Sequence, residues 1–525
     1  MKLSEYMEYK KTQLQIVPGT HVLKFLDNLP KKLKQKCRVW RTEFGAGYGA
    51  LSVSMLDEVA STLIVTAGPG ITNILTVLAQ AYNDRIPLIV IGVNNWSSTL
   101  RNRVGTIHEL GFTNSMFEKV ALESVCFDSA QQFCENIDCL YDMACCCRMP
   151  VYIDLPSDIF DDVSLNDYSY RLNDFSLPVV SHSFVYDCVK MISEAKAPIL
   201  LCGAAAIDSK IKNKVYELSE LLNLPIVTTI EASSFFTHQN CVGPVWDRIF
   251  IGSQYENQAD AVLSIGSDLG VLETANGKLT MSKHMGVTSK IVNNYIYTNN
   301  IVEGDILTFV NMLVATCRAN NISPCGDNIK NTLLNERKMQ IMRYQNNYAC
   351  HNVLSSIQNS YPNNTVFCSD VFLEGYAFAH FGDFTKGQKI FTSQSYVNLG
   401  FSLGATVGAS FIEENVVCMV GDGGFGYYFT EISTMQKYNK RARILIFNNN
   451  CFGTIDCFAK ENCDMYKLKN PDYAMIAKAY NLYFAKSDGA DIGKRILEAE
   501  QTEQGYIIEI NLPTKTPMFN QLKWF

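Results

Sequence analysis

The sequence of 525 residues has no basic excess, no long apolar run and only 7 histidines. Lys and Arg number 45 against 52 Asp and Glu, a formal charge of −7. That balance argues against a phosphate-backbone binder, so no nucleic-acid partner is expected. No stretch reaches the roughly 18 consecutive apolar residues of a membrane span. The segment MKLSEYMEYKKTQLQ lacks the apolar core of a signal peptide, and a cytoplasmic protein without membrane contact is the expectation. None of the 18 cysteines forms a Cys-x-x-Cys pair, which removes zinc ribbons and thioredoxin-like sites. A secreted disulfide scaffold would be smaller and denser in cysteine. The run Cys145-Cys146-Cys147 closes an apolar helical stretch and reads as small buried thiols. No low-complexity segment and no short solenoid period is visible. No Gly-x-Gly-x-x-Gly follows a strand with an acid about 20 residues on, which disfavours a dinucleotide-dependent dehydrogenase. Apolar residues, at 47% against 18% charged, are what the chain has in quantity. That composition supports large cores and excludes disorder.

At roughly 150 residues per domain the length predicts three or four domains. Residues 1–165 alternate helical stretches with apolar runs at 63–66 (LIVT), 87–93 (PLIVIGV) and 149–155 (MPVYIDL), the pattern of a parallel α/β sheet. Residues 166–182 are polar and read as a linker. Residues 183–320 repeat the pattern, with strands expected at 198–202, 225–229, 261–265 and 290–293. A polar stretch at 318–331 leads into residues 333–525, with strands expected at 366–370, 416–420 and 443–447. The expected fold class is therefore α/β, with three doubly wound parallel-sheet domains. The first and third pieces show only weak signs of common origin.

The richest chemistry lies in the third piece. The strand at 416–420 ends in Gly421-Asp422-Gly423, a helix is expected over 427–439, and the next strand ends in Asn448-Asn449. This β-α-β unit puts an acid and an amide at the carboxyl ends of parallel strands, where such sheets bind ligands. Glycines on both sides of the acid let the backbone approach a bulky anion, and a nearby helix N-terminus favours phosphate. A carboxylate, an amide oxygen and backbone carbonyls suit Mg²⁺, which keeps phosphate oxygens and water as further ligands. An ordinary surface turn would not explain why three asparagines, Asn448 to Asn450, end an apolar strand.

The segment 421–450 (GDGGFGYYFTEISTMQKYNKRARILIFNNN) resembles the GDG…NN motif of thiamine-diphosphate enzymes. These are the group of pyruvate and indolepyruvate decarboxylases, benzoylformate decarboxylase and acetolactate synthase. Asp422 and Asn449 are 27 positions apart, the family spacing of its two side-chain Mg²⁺ ligands, and the family's backbone ligand would fall on Cys451. Glu431 is in register. Gly421, Gly423 and Gly424 belong to the same diphosphate-binding motif. The first piece is similar to the family as well. Ile16-Val17-Pro18-Gly19-Thr20 resembles its early Pro-Gly turn, and Glu43 follows Pro18 by 25 positions as the family glutamate does. Thr66 to Asn73 (TAGPGITN) is close to TSGPGATN, and Asp84 and Pro87 follow in order. In SYVNLGFSLGATVGA (395–409), Leu399 takes the place of the apolar wedge under the bent cofactor, which a plain core leucine would also satisfy. The middle piece resembles the family's central domain in LLCGAAAI, LPIVTTIEASSFF and ADAVLSIGSDL, without a flavin signature. The resemblance implies a pyrimidine-binding domain (1–165), a central domain (183–320) and a diphosphate-binding domain (333–525).

It further implies thiamine diphosphate and Mg²⁺ as cofactors, with Gly19, Glu43, Asn73 and Leu399 at the cofactor and Asp422, Asn449 and Cys451 at the metal. In the family the cofactor's amino group generates the reactive thiazolium carbanion only as the imino tautomer. A carboxylic acid bonded to the pyrimidine nitrogen favours that tautomer. Glu43 is the candidate, and burial would help it share a proton; a dipole-compensating glutamate is the simpler alternative. The implied reaction is attack on a 2-oxo acid and loss of carbon dioxide. Protonation to an aldehyde or carboligation then follows. His108 and Glu109, in Thr106–Gly111 (TIHELG), stand where decarboxylases carry a histidine pair and synthases Gln-Glu. Ile107 replaces the first histidine, and a loop histidine bonded to backbone is the other reading of His108. Asp456, in Gly-Thr-Ile-Asp, resembles the acid of Tyr-Thr-Ile-Glu displaced by one residue. Sites formed between subunits imply a homodimer or homotetramer. Departures from the family pattern are Asp370 to Gly375 at the diphosphate turn, Gly404 in place of a proline, Ser52 to Met55 and Glu231 to Ser233. They leave open a degenerate relative with a structural or regulatory role.

Overall fold

A computed structural model describes residues 1–513 except 101, 103, 111–112, 173–174, 245–258, 268, 271–282, 293–299, 326–327, 348–349, 394 and 459–463. The first sheet contains β1 (Leu14–Ile16), β2 (Cys37–Val39), β3 (Ser61–Thr66), β4 (Leu88–Asn94), β5 (Glu123–Cys126) and β6 (Pro150–Pro156). Its order is β2-β1-β3-β4-β6-β5, parallel throughout. Every residue of β4 is buried, because helices cover both faces of a parallel sheet. The second sheet contains β7 (Pro198–Cys202), β8 (Ile226–Thr228), β9 (Cys241–Pro244), β10 (Ala261–Ile265), β11 (His284–Thr288) and β12 (Ile301–Glu303). Its order, β12-β11-β10-β7-β8-β9, is the doubly wound order 3-2-1-4-5-6 when counted within the domain. The third sheet contains β13 (Val366–Ser369), β14 (Lys389–Thr392), β15 (Val416–Gly421), β16 (Arg443–Asn448), β17 (Tyr483–Ser487) and β18 (Tyr506–Asn511). Its order is β14-β13-β15-β16-β18-β17. The first and third sheets thus share one topology, a much closer kinship than their sequences suggest.

Three local expectations need correction. The strand expected at 290–293 lies earlier, as β11, and residue 293 is outside the described residues. β11 is poor in apolar residues because it packs closely on β10. His284 bonds to Ser264 Oγ at 3.0 Å, and a Cβ on Gly286 would collide with that hydroxyl. The helix expected at 427–439 starts at Asp422, directly at the end of β15. It runs to Tyr428, tightens through Phe429–Glu431 and resumes over Ile432–Lys437. Of the three consecutive cysteines, Cys147 is buried, Cys145 half-buried and Cys146 exposed. Neighbours on a helix point about 100° apart, so one face cannot hold all three. The connection into the third domain contains a helix, Asn328–Asn347, whose Ile329 and Leu333 pack with Val227 and Val242 of the central sheet.

The first and third domains meet along the helices Glu43–Asp57 and Phe401–Ala409. Gly45 and Gly49 face Gly404 and Gly408. A Cβ on Gly404 would lie 3.1 Å from the Gly45 carbonyl oxygen and 3.0 Å from Tyr48 Cβ, and one on Gly408 would collide with the Gly49 carbonyl. Gly404, a departure from the family pattern, thus lies at this close crossing, where a Cβ would press on its neighbours. Among the described residues no helix is long and apolar enough to cross a membrane.

Candidate active site

One group of candidates gathers at the carboxyl ends of β1, β3 and β4. Glu43 opens its helix in the first turn, where a carboxylate complements the helix dipole. Thr42 caps that helix by accepting from the Gly45 N–H at 3.0 Å. Asn73 Nδ2 donates to Glu43 Oε2 at 3.0 Å, which leaves Oε1 directed past Gly70, where a Cβ would stand 3.7 Å away. Glu43 is half-buried. Gly19 packs against Thr66, whose methyl lies 2.6 Å from the position of a Cβ. Gly68, at φ 66°, lets His108 come alongside, and His108 itself is left-handed at φ 61° and exposed. Its loop is held by Asn95, whose Nδ2 donates to Thr106 Oγ1 and to the Ile107 carbonyl, each at 3.2 Å. Glu109 is a brace for the same loop. Its two oxygens accept from the N–H groups of Val104 and Gly105 at 2.8 Å.

His21 belongs to this group and sequence reasoning passed over it. Burial, with His108 close by, holds its imidazole below the usual value despite a hydrogen bond with Asn95. Its place two residues after Gly19 was the available signal.

The second group lies at the ends of β15 and β16, where Gly421 pairs with Phe447. Asp422 is 6% exposed, and burial pushes its carboxyl up, against hydrogen bonds that favour the charge. Its Oδ1 accepts from the Gly423 N–H at 3.0 Å and its Oδ2 from Asn470 Nδ2 at 2.8 Å. The same Asn470 nitrogen lies 3.0 Å from Asn448 Oδ1 and 3.3 Å from Asn450 Oδ1. Asn448 is fixed by Nδ2 donating to Glu509 Oε1 at 2.8 Å, and Lys486 pairs with Glu509 at 3.0 Å. The structure thus joins Asp422 to Asn448 and Asn450 through Asn470, a residue the motif reading did not include. Asn449 Oδ1 instead accepts from the Cys451 N–H at 3.0 Å, and the Cys451 carbonyl accepts from the Gly453 N–H at 2.8 Å.

The glycines of the motif are tightly enclosed. A Cβ on Gly423 would lie 3.0 Å from the Phe452 ring, and one on Gly424 would lie 2.8 Å from Asp370 Oδ2. Asp456 is buried on the helix Gly453–Phe458. It stands on the Cys451 side, since burial first and then the charges of Asp456 and Asp422 push the Cys451 thiol up. Among the described residues no hydrogen bond or ion pair joins His108 to Asp456, or Glu43 to Asp422.

Asp370, the acid at the altered turn, is committed elsewhere. It accepts from the N–H groups of Val371 at 2.7 Å and Gly400 at 2.9 Å, and from Ser402 Oγ at 3.1 Å. Burial pushes it up to about 6. The carboxylate caps the helix Phe401–Ala409 and so is not left unpartnered beside a diphosphate. Leu399, half-buried, immediately precedes that cap.

Around Asp422 a carboxylate and the amide oxygens of Asn448 and Asn450, bridged by the Asn470 nitrogen, supply the oxygen ligands a hard divalent cation takes. Glu43 Oε1, on the Gly70 side, is the oxygen that Asn73 does not hold and that could meet a ring nitrogen. These residues fit a magnesium diphosphate and a heterocycle. In comparisons with protein families, residues 5–116 match the N-terminal thiamine pyrophosphate-binding domain of thiamine pyrophosphate enzymes, 185–308 the central domain, and 375–510 the C-terminal thiamine pyrophosphate-binding domain. The chain belongs to the thiamine pyrophosphate enzymes. Among family members it is 24% identical to a protein of Pseudomonas aeruginosa named "Probable 2-ketoarginine decarboxylase", over 93% of this chain and 89% of that one. It is 22% identical to a "Probable acetolactate synthase large subunit" of Methanocaldococcus jannaschii, over 90% of this chain and 84% of that one. The acetolactate synthase isozyme 3 large subunit of Escherichia coli is 22% identical, over 82% of this chain and 80% of that one.

Proposed function

We propose that this thiamine pyrophosphate enzyme is a Mg²⁺-dependent decarboxylase of a 2-oxo acid. The observation that carries the reading is the Glu43 carboxylate, pinned by Asn73 on one oxygen and open on the other. The bound cofactor supplies a nucleophilic carbon and a sink for the electron pair released with carbon dioxide. Glu43 holds a proton at Oε1 for a ring nitrogen, and Asn73 fixes the direction of the carboxyl. Asp422, Asn449 and the Cys451 carbonyl, with Asn448 and Asn450 beside them, hold Mg²⁺. Gly19, Gly421, Gly423 and Gly424 bring bare backbone to the cofactor, their Cβ directions being closed off by Thr66, Phe372, Phe452 and Asp370, and Leu399 supports its apolar face. His108 moves protons at the substrate, and Asp456 does so from the metal side. Glu109 keeps the His108 loop in shape through the N–H groups of Val104 and Gly105.

Carboligation is the second reading. Ile107, 80% exposed beside His108, offers an apolar contact to an acceptor carbonyl compound, and acetolactate synthases are among the relatives. We also infer a cytoplasmic homodimer or homotetramer in which the first domain of one subunit completes the third of another.

The test is calorimetric titration with thiamine diphosphate and Mg²⁺. Binding is expected in the natural protein, lost in Asp422→Ala and retained in Glu43→Gln. Release of carbon dioxide from pyruvate, phenylpyruvate, indolepyruvate, benzoylformate and 2-ketoarginine is then measured, with the organic product identified. Glu43→Gln is expected to lower turnover by about 10²–10⁴-fold. No binding at millimolar cofactor overturns the reading in favour of a structural or regulatory family member.

A further inference from the structure

Asp84 is a buried acid that the reaction scheme leaves without a task. It closes the helix Leu75–Asn83 of the first domain and is 4% exposed. Its Oδ1 accepts from the backbone N–H groups of Ser395 at 3.2 Å and Tyr396 at 3.3 Å, both in the third domain. The Ser393 hydroxyl lies beside the same carboxyl and accepts from the Val397 N–H at 3.1 Å. Ser395 Oγ donates to Glu231 Oε1 of the central domain at 2.9 Å. Asn398 donates to the Tyr48 hydroxyl of the first domain, and the Gly400 N–H is held by Asp370. Residues 395–400 are therefore gripped from all three domains.

The segment needs that grip. Ser395, Tyr396 and Val397 are exposed and lie outside any helix or strand. Val397 sits at φ 59°, a left-handed conformation that a β-branched side chain adopts only under constraint. Backbone held in this way persists only where its surroundings over-determine it. Leu399 follows two residues later, so the path of Val397 decides where the Leu399 side chain stands.

We propose that Asp84 is a positioning residue that holds residues 395–400 of the third domain in the strained path that delivers Leu399 to the cofactor. The inference rests on the functional reading above and adds to it a residue from a different domain. A carboxyl suits the task because a single oxygen can accept from two adjacent N–H groups. Burial, with Glu231 nearby, pushes Asp84 up to about 7. The carbonyl oxygen of the protonated acid accepts as well, so the grip survives loss of the charge. Asparagine, which keeps that oxygen, should then substitute and alanine should not.

The experiment measures thiamine diphosphate affinity by calorimetry at saturating Mg²⁺, on the full-length oligomer. The natural protein is compared with Asp84→Ala, Asp84→Asn and Ser393→Ala, alongside the thermal midpoint of each without cofactor. Asp84→Ala is expected to weaken affinity about ten-fold and Asp84→Asn to stay within about three-fold. Ser393→Ala, which removes one hydroxyl and should fold normally, is expected to weaken affinity in the same direction with an unchanged midpoint. Lowered midpoints with unchanged affinities would mean a merely structural acid and overturn the proposal. If Asp84→Ala does not fold, an unchanged affinity in Ser393→Ala overturns it equally. Absence of cofactor binding in the natural protein overturns the functional reading and this inference with it. Normal binding there, with an unaffected Asp84→Ala, removes this inference alone.

Discussion

An amide nitrogen carries two protons, and Asn470 divides them among three oxygens: those of Asp422, Asn448 and Asn450. The amide fixes one carboxylate oxygen of Asp422 while the Gly423 N–H holds the other, so the acid proposed to bind the metal is oriented from both sides. Partners of this kind typically contribute 10–100-fold to metal affinity. Asn470→Ala is expected to weaken Mn²⁺ binding by about that factor, read by titration with thiamine diphosphate present, at an unchanged thermal midpoint. Asn470 was not legible in the sequence because it lies 48 residues from Asp422, beyond any local spacing rule. Glu43 and Asp422 were picked out because the resemblance sets them at fixed offsets, 25 positions after Pro18 and 27 before Asn449. Asp154 carries a pH effect. It bonds to Asn94 Nδ2 at 3.0 Å, and burial pushes it from 3.8 to about 7 despite that bond. The folded chain thus holds a proton that the unfolded chain releases. The stability from this group is complete below pH 3.8 and is lost as pH rises through about 7. Asp84, also pushed to about 7, acts in the same direction. The thermal midpoint is expected to fall as pH rises from 5 towards about 7, and Asp154→Asn to flatten that fall.

Elements with two buried faces announced themselves. β3, β4, β10, β15 and β16 are central strands, and burial on both sides makes them unbroken apolar runs. β5, an edge strand with sequence ESVC and no buried residue, carries no such run, and β1 and β2 are only three residues long. The glycines at 45, 49, 404 and 408 were visible, but a sequence does not say which helix faces which. Their meaning is the crossing itself, in which backbone meets backbone. Gly408→Val is expected to destabilise by about 1–3 kcal/mol through overpacking. It should also weaken cofactor binding, because the displaced helix carries Glu43. Thermal unfolding and calorimetry on the same samples check both effects.

At the level of the molecule, the candidate residues fall into two groups, one on each of two domains with the same strand order. Their motifs could be found one at a time in the sequence. A site shared between two copies is part of the proposed function and is open to a direct test. If each site takes Glu43 from one subunit and Asp422 from another, two inactive variants should rescue each other. Glu43→Gln and Asp422→Ala chains, mixed in equal amounts and allowed to exchange, are expected to regain about a quarter of natural activity as dimers. Chains that supply both residues to their own site would regain none. The glycine crossing adds a mechanical consequence. Side chains between two helices can change rotamer and take up strain, whereas bare backbone in contact has almost no compliance. The first and third domains are coupled there as a stiff joint, so rotation of one transmits to the other without loss. Opening towards a substrate then falls to the exposed loop that carries His108, while the turn at Val397, gripped from all three domains, moves with the frame.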